Sequence, residues 1–409
     1  MRIAVITTSF PSLSETFILD QVTGLLDLGY DVRILAWRDP GDSVLHPGVA
    51  QYELSSRTRY IPRVPQGKFV RLMKAAQLII ANLHRSPGPL LRFVGMFLRR
   101  KRGLSLAHLY FLLYLTEADF DVILCQYGPN GLIGAFLKQV GAKSKVCTVF
   151  HGFDVSRYPL THGRDVYDEL FNAGDLFMPV SEYWKSELTG MGCPPERTIV
   201  HRMGIDLKKF TYCPRSRRPG VPVRLLTVGR LVEKKGHRYA IEAVARLIAA
   251  GYDVEYTVAG DGPLKEDLQR LAEERQIQSR VRFLGAVDQH RALELYREAD
   301  IFVLPSVRAE DGDMEGVPVV LMEAMASGVP VVSTRHSGIP ELVIDGESGL
   351  LADERDADGL SQRLSGLVND PANCIEISLR ARQRIEDEFN LNRLNCELAT
   401  RLVELAGVV

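Results

Sequence analysis

A chain of 409 residues is longer than one ordinary hydrophobic core organises, so two domains are expected. With 46% hydrophobic and 25% charged residues the composition is that of a globular protein, and a formal charge of −1 excludes a nucleic-acid partner drawn by global charge. Six cysteines, none in a C-x-x-C pair, argue against a structural zinc site and against a secreted disulfide framework, so the cytoplasm is the expected compartment.

The opening "MRIAVITTSF" reads as a first strand and lacks the long apolar core of a signal peptide. No segment reaches the roughly 18 uninterrupted apolar residues of a membrane span. Next, "SFPSLSETFILD" carries Ser12-x-x-Glu15, the spacing of a helix capping box, and its place after strand one puts Ser14, Glu15 and Thr16 at the mouth of the sheet. "DVRILAW" is a second strand. A window without acids then runs between Glu53 and Glu117 and holds twelve Lys or Arg, from Arg57 to Arg102. Within it Leu, Phe and Met alternate with Arg92, Arg99, Arg100, Lys101 and Arg102. One reading is an amphipathic core helix with a basic outer face. The other, favoured because a solvated face usually mixes both signs, is a face for an anionic membrane, to which each cation contributes about 1 kcal/mol.

"DVILCQY", "KVCTVFHG" and "LFMPVS" read as further strands. "YGPNGLIG" spaces Gly128, Gly131 and Gly134 wrongly for a dinucleotide fingerprint. "FHGFDVSRY" puts His151 and Asp154 just past a strand. The Pro- and Arg-rich stretch Thr211 to Arg224 reads as a linker. A first domain is therefore expected over 1–213 and a second over 221–388, with an amphipathic helix in 389–409 closing the second domain or crossing back to the first. Residues 1–215 hold 26 Lys+Arg and 19 Asp+Glu, a net of +7, which leaves −8 for the remainder.

In the second half "VRLLTVGR", "VEYTVAG", "RVRFLG", "IFVLPS" and "VPVVST" are strands, and "YAIEAVARLIAAG" and "LKEDLQRLAEERQ" are helices between them. Apolar runs separated by helices predict parallel sheets covered on both faces, hence two doubly wound α/β domains with a ligand cleft at the strands' carboxyl ends. Three loops reach that cleft. "VGRLVEKKG" offers Gly229, Arg230 and Lys235, cations that can neutralise a diphosphate, with Lys234 and His237 as bystanders. "VAGDGP" offers Gly260-Asp261-Gly262, which serves equally as a tight connection. "EDGDMEGVPVVLMEAMASG" predicts a helix opening at Pro318 and stopped by Gly328, with the amides of Gly316 to Val319 left open for hydroxyls or phosphate. Glu315 precedes that helix and Glu323 lies within it. Eight residues of helix span about 12 Å, on the order of the distance from a hexose to a ribose across a diphosphate. The same stretch contains Asp311-Gly312-Asp313, which has the form of a cation clamp, and Asp119-Phe120-Asp121 is a poorer one.

The set "VGRLVEKKG", "VAGDGP", "FLG", "LPS", "EGVPVVLMEAMASGVPVVST" and "SGIPELV" resembles the donor domain of retaining GT-B glycosyltransferases of family 4. "SETFI", "FHGFD", "PVSEYWKSEL" and "HRMGID" are similar to the bacterial exopolysaccharide, colanic-acid type. The resemblance implies a GT-B fold of two Rossmann-like domains. It implies a UDP- or GDP-linked sugar donor and a glycan acceptor, lipid-linked where the basic window meets a membrane at the cytoplasmic face. No cofactor and no metal is implied. Residue by residue, Arg230 and Lys235 would bind the diphosphate. Glu315 with Gly316, Val317, Pro318 and Val319 would hold the donor sugar, and Glu323 the ribose. Leu284 and Val287 would face the base, with Gly229 and Gly260 letting backbone approach. His151 would lie by the transferred sugar, with Asp154 in support and Ser14, Glu15 and Thr16 on the acceptor side. Many relatives carry a Gly-Gly loop after strand one, and "SFPSLSETF" has none. On this resemblance the DGD is a solvated loop. Rivals are an epimerase or hydrolase with the same donor grip, which would release nucleotide without acceptor, and a non-catalytic sugar-nucleotide binder.

Overall fold

The computed structural model of the chain describes all residues except 13–14, 42–45, 100–104, 118, 216–219 and 408–409. Two parallel six-stranded sheets carry the fold. In the first, β1 (Arg2–Ser9), β2 (Asp31–Arg38), β3 (Thr58–Tyr60), β4 (Val122–Gln126), β5 (Lys145–Phe150) and β6 (Leu176–Pro179) stand in the order β3-β2-β1-β4-β5-β6. In the second, β7 (Val223–Val228), β8 (Val254–Ala259), β9 (Val281–Gly285), β10 (Ile301–Leu304), β11 (Val331–Thr334) and β12 (Leu350–Ala352) stand in the order β12-β11-β10-β7-β8-β9. Each sheet reverses its strand order once, between β1 and β4 and between β7 and β10, and a crevice opens at those points above the strands' carboxyl ends.

The strands form because their runs are apolar on both faces. Ile3, Ala4, Val5 and Ile6 in β1 and Phe302, Val303 and Leu304 in β10 have no exposed surface. All ten strands expected from sequence are present. β3 and β12, three residues each, are additional edge strands. Gly128, Gly131 and Gly134 lie on the helix Gly128–Gln139, where an added Cβ would press on Tyr167, Thr148 and Val146. These glycines let that helix settle on β5.

The segment after the first sheet is anchored to the second. Cys213 N–H donates to the Ser327 carbonyl at 3.3 Å, and Arg215 donates to the Tyr296 carbonyl at 2.6 Å. The helix Pro371–Glu388 ends at Phe389, whose carbonyl accepts from Ile205 N–H at 3.0 Å. The helix Leu391–Ala406 then lies on the first domain. Asn395 donates to the Asp20 carbonyl at 3.2 Å and Arg401 to the Val200 carbonyl at 3.0 Å. A second junction is electrostatic, because Glu341 accepts the backbone N–H groups of Glu182 and Tyr183 at 2.9 and 2.8 Å. The helix Glu182–Gly190 of one domain thus takes its N-terminal carboxylate from the other.

Candidate active site

The capping box is absent. The helix Thr16–Asp27 starts one residue past Glu15, which occupies the cap position and makes no side-chain cap hydrogen bond. Glu15 instead accepts from the Tyr127 hydroxyl at 2.9 Å, and its second oxygen is buried without a partner among the described residues. Burial raises the pKa of this carboxyl, a rise opposed by Tyr127, Arg230 and Arg38. Thr16 opens the helix, and Ser14 lies outside the described residues.

His151 follows β5. Its Nε2 is 2.9 Å from Gln126 Oε1, and Gln126 donates its own amide to Gln21 at 2.5 Å. That orientation makes Nε2 the protonated nitrogen and Nδ1 a bare acceptor. Phe17 and Tyr127 flank the ring, with centroids 4.7 and 4.6 Å away. Burial, and to a lesser degree His201, lowers the imidazole pKa to about 3, so His151 is neutral at pH 7. Asp154 has no exposed surface. Its carboxylate accepts the N–H groups of His151, Gly152 and Gly128, all at 2.9 Å. It therefore shapes the turn that aims His151 and touches no open surface. Burial raises its pKa to about 6 against those three bonds.

On the facing domain, Arg230 follows β7 with an exposed guanidinium and no ion pair among the described residues. Gly229 and Gly260 are backbone neighbours, and a Cβ at Gly260 would strike the Gly229 carbonyl. Lys235 folds back so that Nζ is 3.0 Å from Glu315 Oε1. Burial alone would raise the Glu315 pKa, but the Lys235 and Lys234 ammoniums outweigh it and hold the carboxyl at about 2. Glu315 N–H donates to His336 Nε2 at 3.1 Å, and His336 Nδ1 is 2.6 Å from Glu354. Gly316 packs directly on His151, because a Cβ on it would strike the His151 carbonyl. The 315–319 loop of the second domain and the His151 turn of the first therefore meet at the cleft floor.

Past Val317, Pro318 caps the helix Val319–Ala326, which has no side-chain cap, so its first amides stay open toward the cleft. Gly328, at φ 78°, ends it. Glu323 is half-buried and accepts from the Tyr296 hydroxyl at 2.7 Å. Burial raises its pKa to about 7. Leu284 and Val287 are half-buried on the strand β9 side. The structure thus brings His151, Glu15, Arg230, Lys235, Glu315 and the amides of Gly316, Val317 and Val319 to one cleft.

Asp311-Gly312-Asp313 is not a free solvated loop. Asp313 pairs with Lys234 at 3.1 Å and Asp311 with Arg157 of the first domain at 3.1 Å. Lys234 is thereby tied into the loop, and His237 is buried with Nε2 3.0 Å from the Arg230 carbonyl, so both so-called bystanders position their neighbours. Asp121 accepts from Arg2 N–H at 2.7 Å, at the strand end opposite the cleft. Among the described residues no group of three or more His, Cys, Asp or Glu could hold a metal ion.

Sequence reasoning passed over Tyr127. It is not glycine yet holds φ 71°, a region costly for a side-chain-bearing residue, and its ring and hydroxyl bridge His151 and Glu15. Its place at the end of β4, beside the strand-order reversal, was a usable signal. Gln126, Phe17 and the His336–Glu354 pair carried no local signature.

Comparison with known proteins bears on this arrangement. Residues 14–209 match the profile described as Glycosyltransferase Family 4, and residues 212–384 that described as Glycosyl transferases group 1. The chain is 38% identical over 408 residues to a glycosyltransferase ascribed to colanic acid biosynthesis, WcaL of Salmonella typhimurium, covering 98% of this chain and 99% of that one. It is 39% identical over 414 residues to the amylovoran biosynthesis glycosyltransferase AmsK of Erwinia amylovora, covering 99% and 100%. Among solved structures, Anabaena HepE in complex with UDP and glucose superposes with a TM-score of 0.75 at 17% identity, over 99% of this chain and 100% of that one.

Proposed function

The chain belongs to the glycosyltransferases of family 4, and from that premise we propose that it transfers a hexose, with retained anomeric configuration, from a UDP- or GDP-linked sugar to a hydroxyl of a growing surface polysaccharide. The observation that carries this reading is the facing of two sets of groups. Arg230 and Lys235 with the open amides of Gly316, Val317 and Val319 lie on one wall, and neutral His151 with Glu15 on the other. Cations and amides suit a diphosphate, and stabilising its charge as it departs lowers the barrier without a metal. Glu315, held ionised, is an acceptor for donor-sugar hydroxyls, and Glu323 for the ribose diol. Among the described residues none stands out as a covalent nucleophile, so the reaction proposed is same-face attack, with the departing phosphate taking the acceptor proton.

The relatives' roles in colanic acid and amylovoran synthesis support an exopolysaccharide acceptor, carried here on a lipid. All six cysteines are free, which suits a reducing compartment and supports the cytoplasmic face as the enzyme's location. Among the described residues no helix is long and apolar enough to cross a membrane. The test is proton NMR of the product made from an α-linked nucleotide sugar and a lipid-linked acceptor. An α-linkage supports retention. A β-linkage, or nucleotide release with no glycoside, defeats the reading.

A further inference from the structure

The helix Lys68–Asn82 buries none of its residues fully, yet it is amphipathic. Ala75, Leu78 and Ile79 pack inward beside Leu90 and Phe93 of the helix Pro87–Leu98. Phe69, Leu72, Met73, Ala76 and Ile80 recur at i, i+3, i+4, i+7 and i+11, the spacing of a helix's apolar stripe, and this stripe points to solvent. Phe69 is 74% and Ile80 75% exposed. The next helix continues the surface with Leu91 and with Leu98, which is 74% exposed. A stable soluble domain does not ordinarily leave so long a stripe bare.

The charges beside it have one sign. Lys68, Lys74, Arg85 and Arg99 lie on these helices or at their ends, Arg71 and Arg92 donate to the Gln66 and Val140 carbonyls, and no Asp or Glu occurs between Glu53 and Glu117. None of the six pairs with a carboxylate among the described residues. A second copy of this chain would bring these cations against their own copies, so a symmetric dimer through this face is opposed by its own charge. An anionic bilayer meets both features, because apolar side chains enter the acyl boundary while cations hold headgroup phosphates.

We propose that the Lys68–Asn82 and Pro87–Leu98 helices are the docking face of this enzyme for an anionic lipid bilayer. The proposal deepens the reading above and rests on it only for the lipid-borne acceptor. Docking there would hold the first domain, with its His151 wall, against the leaflet that carries the acceptor.

The experiment is co-sedimentation of the full chain with phosphatidylcholine vesicles and with vesicles doped with phosphatidylglycerol, across a salt series. Wild type should bind the doped vesicles alone and be released by salt. Phe69→Ser/Met73→Ser/Ile80→Ser should lower the partition coefficient by roughly tenfold or more, and Lys68→Gln/Lys74→Gln/Arg85→Gln by about 100-fold. All six positions are on the surface helices or their junction, and unchanged thermal melting will show that the variants fold. Equal recovery in the supernatant with both vesicle types overturns the proposal. So does undiminished binding by the apolar variant, or a wild-type dimer in sedimentation velocity that the apolar variant abolishes. Stabilisation by nucleotide sugars, measured in parallel without lipid, tests the transferase reading separately. Its absence in wild type would sink that reading and leave the docking result standing.

Discussion

Replacing Glu315 by Gln removes the charge that Lys235 faces at 3.0 Å, in a place where both side chains are nearly enclosed. The carboxyl pKa falls from an ordinary 4.5 to about 2, and at 1.36 kcal/mol per pH unit this is about 3 kcal/mol of folding stability. The sign follows from the direction. A depressed acid stabilises above its ordinary pKa, and that contribution fades as pH falls from 4.5 toward 2. At neutral pH, Glu315→Gln should therefore lose about 3 kcal/mol, reaching 3–5 because Lys235 is left without its counterion. The double variant Lys235→Met/Glu315→Gln should regain part of this loss, because neither charge is then stranded. The assay is urea unfolding followed by circular dichroism at pH 7 and again near pH 2, for wild type, both single variants and the double. A Glu315→Gln stability within about 0.5 kcal/mol of wild type at pH 7 would refute the ion-pair argument. A deficit of the same size at both pH values would refute it too.

Glu323→Gln should flatten the pH dependence of nucleotide binding. Wild-type affinity should rise from pH 6 to 8 as the carboxyl ionises near 7, and calorimetry across that range checks it. Tyr127→Phe should raise the acceptor KM with little change in donor affinity, because it frees the Glu15 oxygen from its 2.9 Å bond and leaves the donor wall intact. Initial rates at varied acceptor concentration decide. Asp311→Asn should change stability by less than about 1 kcal/mol, since its pair with Arg157 is half-exposed on both sides, and full activity should persist in EDTA. Loss of activity in EDTA with rescue by manganese would return the DGD to candidacy as a clamp.

The long features of the fold were legible. Ten of the twelve strands announced themselves as apolar runs, and β3 and β12 escaped because three residues are too few to show a periodicity. At the site, legibility stopped where function depends on contacts between distant segments. Ser12-x-x-Glu15 has capping-box spacing, yet Glu15 is drawn away by Tyr127, 112 residues later in the chain. The DGD looked solvated because its partners, Lys234 and Arg157, come from two segments distant in sequence. Asp154 looked like a cleft residue because sequence gives position along a strand and not which way a turn folds. The solvent-facing stripe of the Lys68–Asn82 helix had the converse history. Its charge bias was plain in the sequence, but an apolar stripe facing outward is visible only once the inner face is known.

The grip of Arg230 on a nucleoside diphosphate is the claim on which the donor site stands. Titration calorimetry of UDP and GDP in EDTA, with wild type and Arg230→Ala, measures it directly. One of the two nucleotides should bind wild type, and Arg230→Ala should bind it roughly 10- to 100-fold more weakly, the loss of a charge-assisted contact worth about 1.5–3 kcal/mol. Equal affinity in the two proteins, or no binding of either nucleotide to wild type, would contradict the assignment of the cleft.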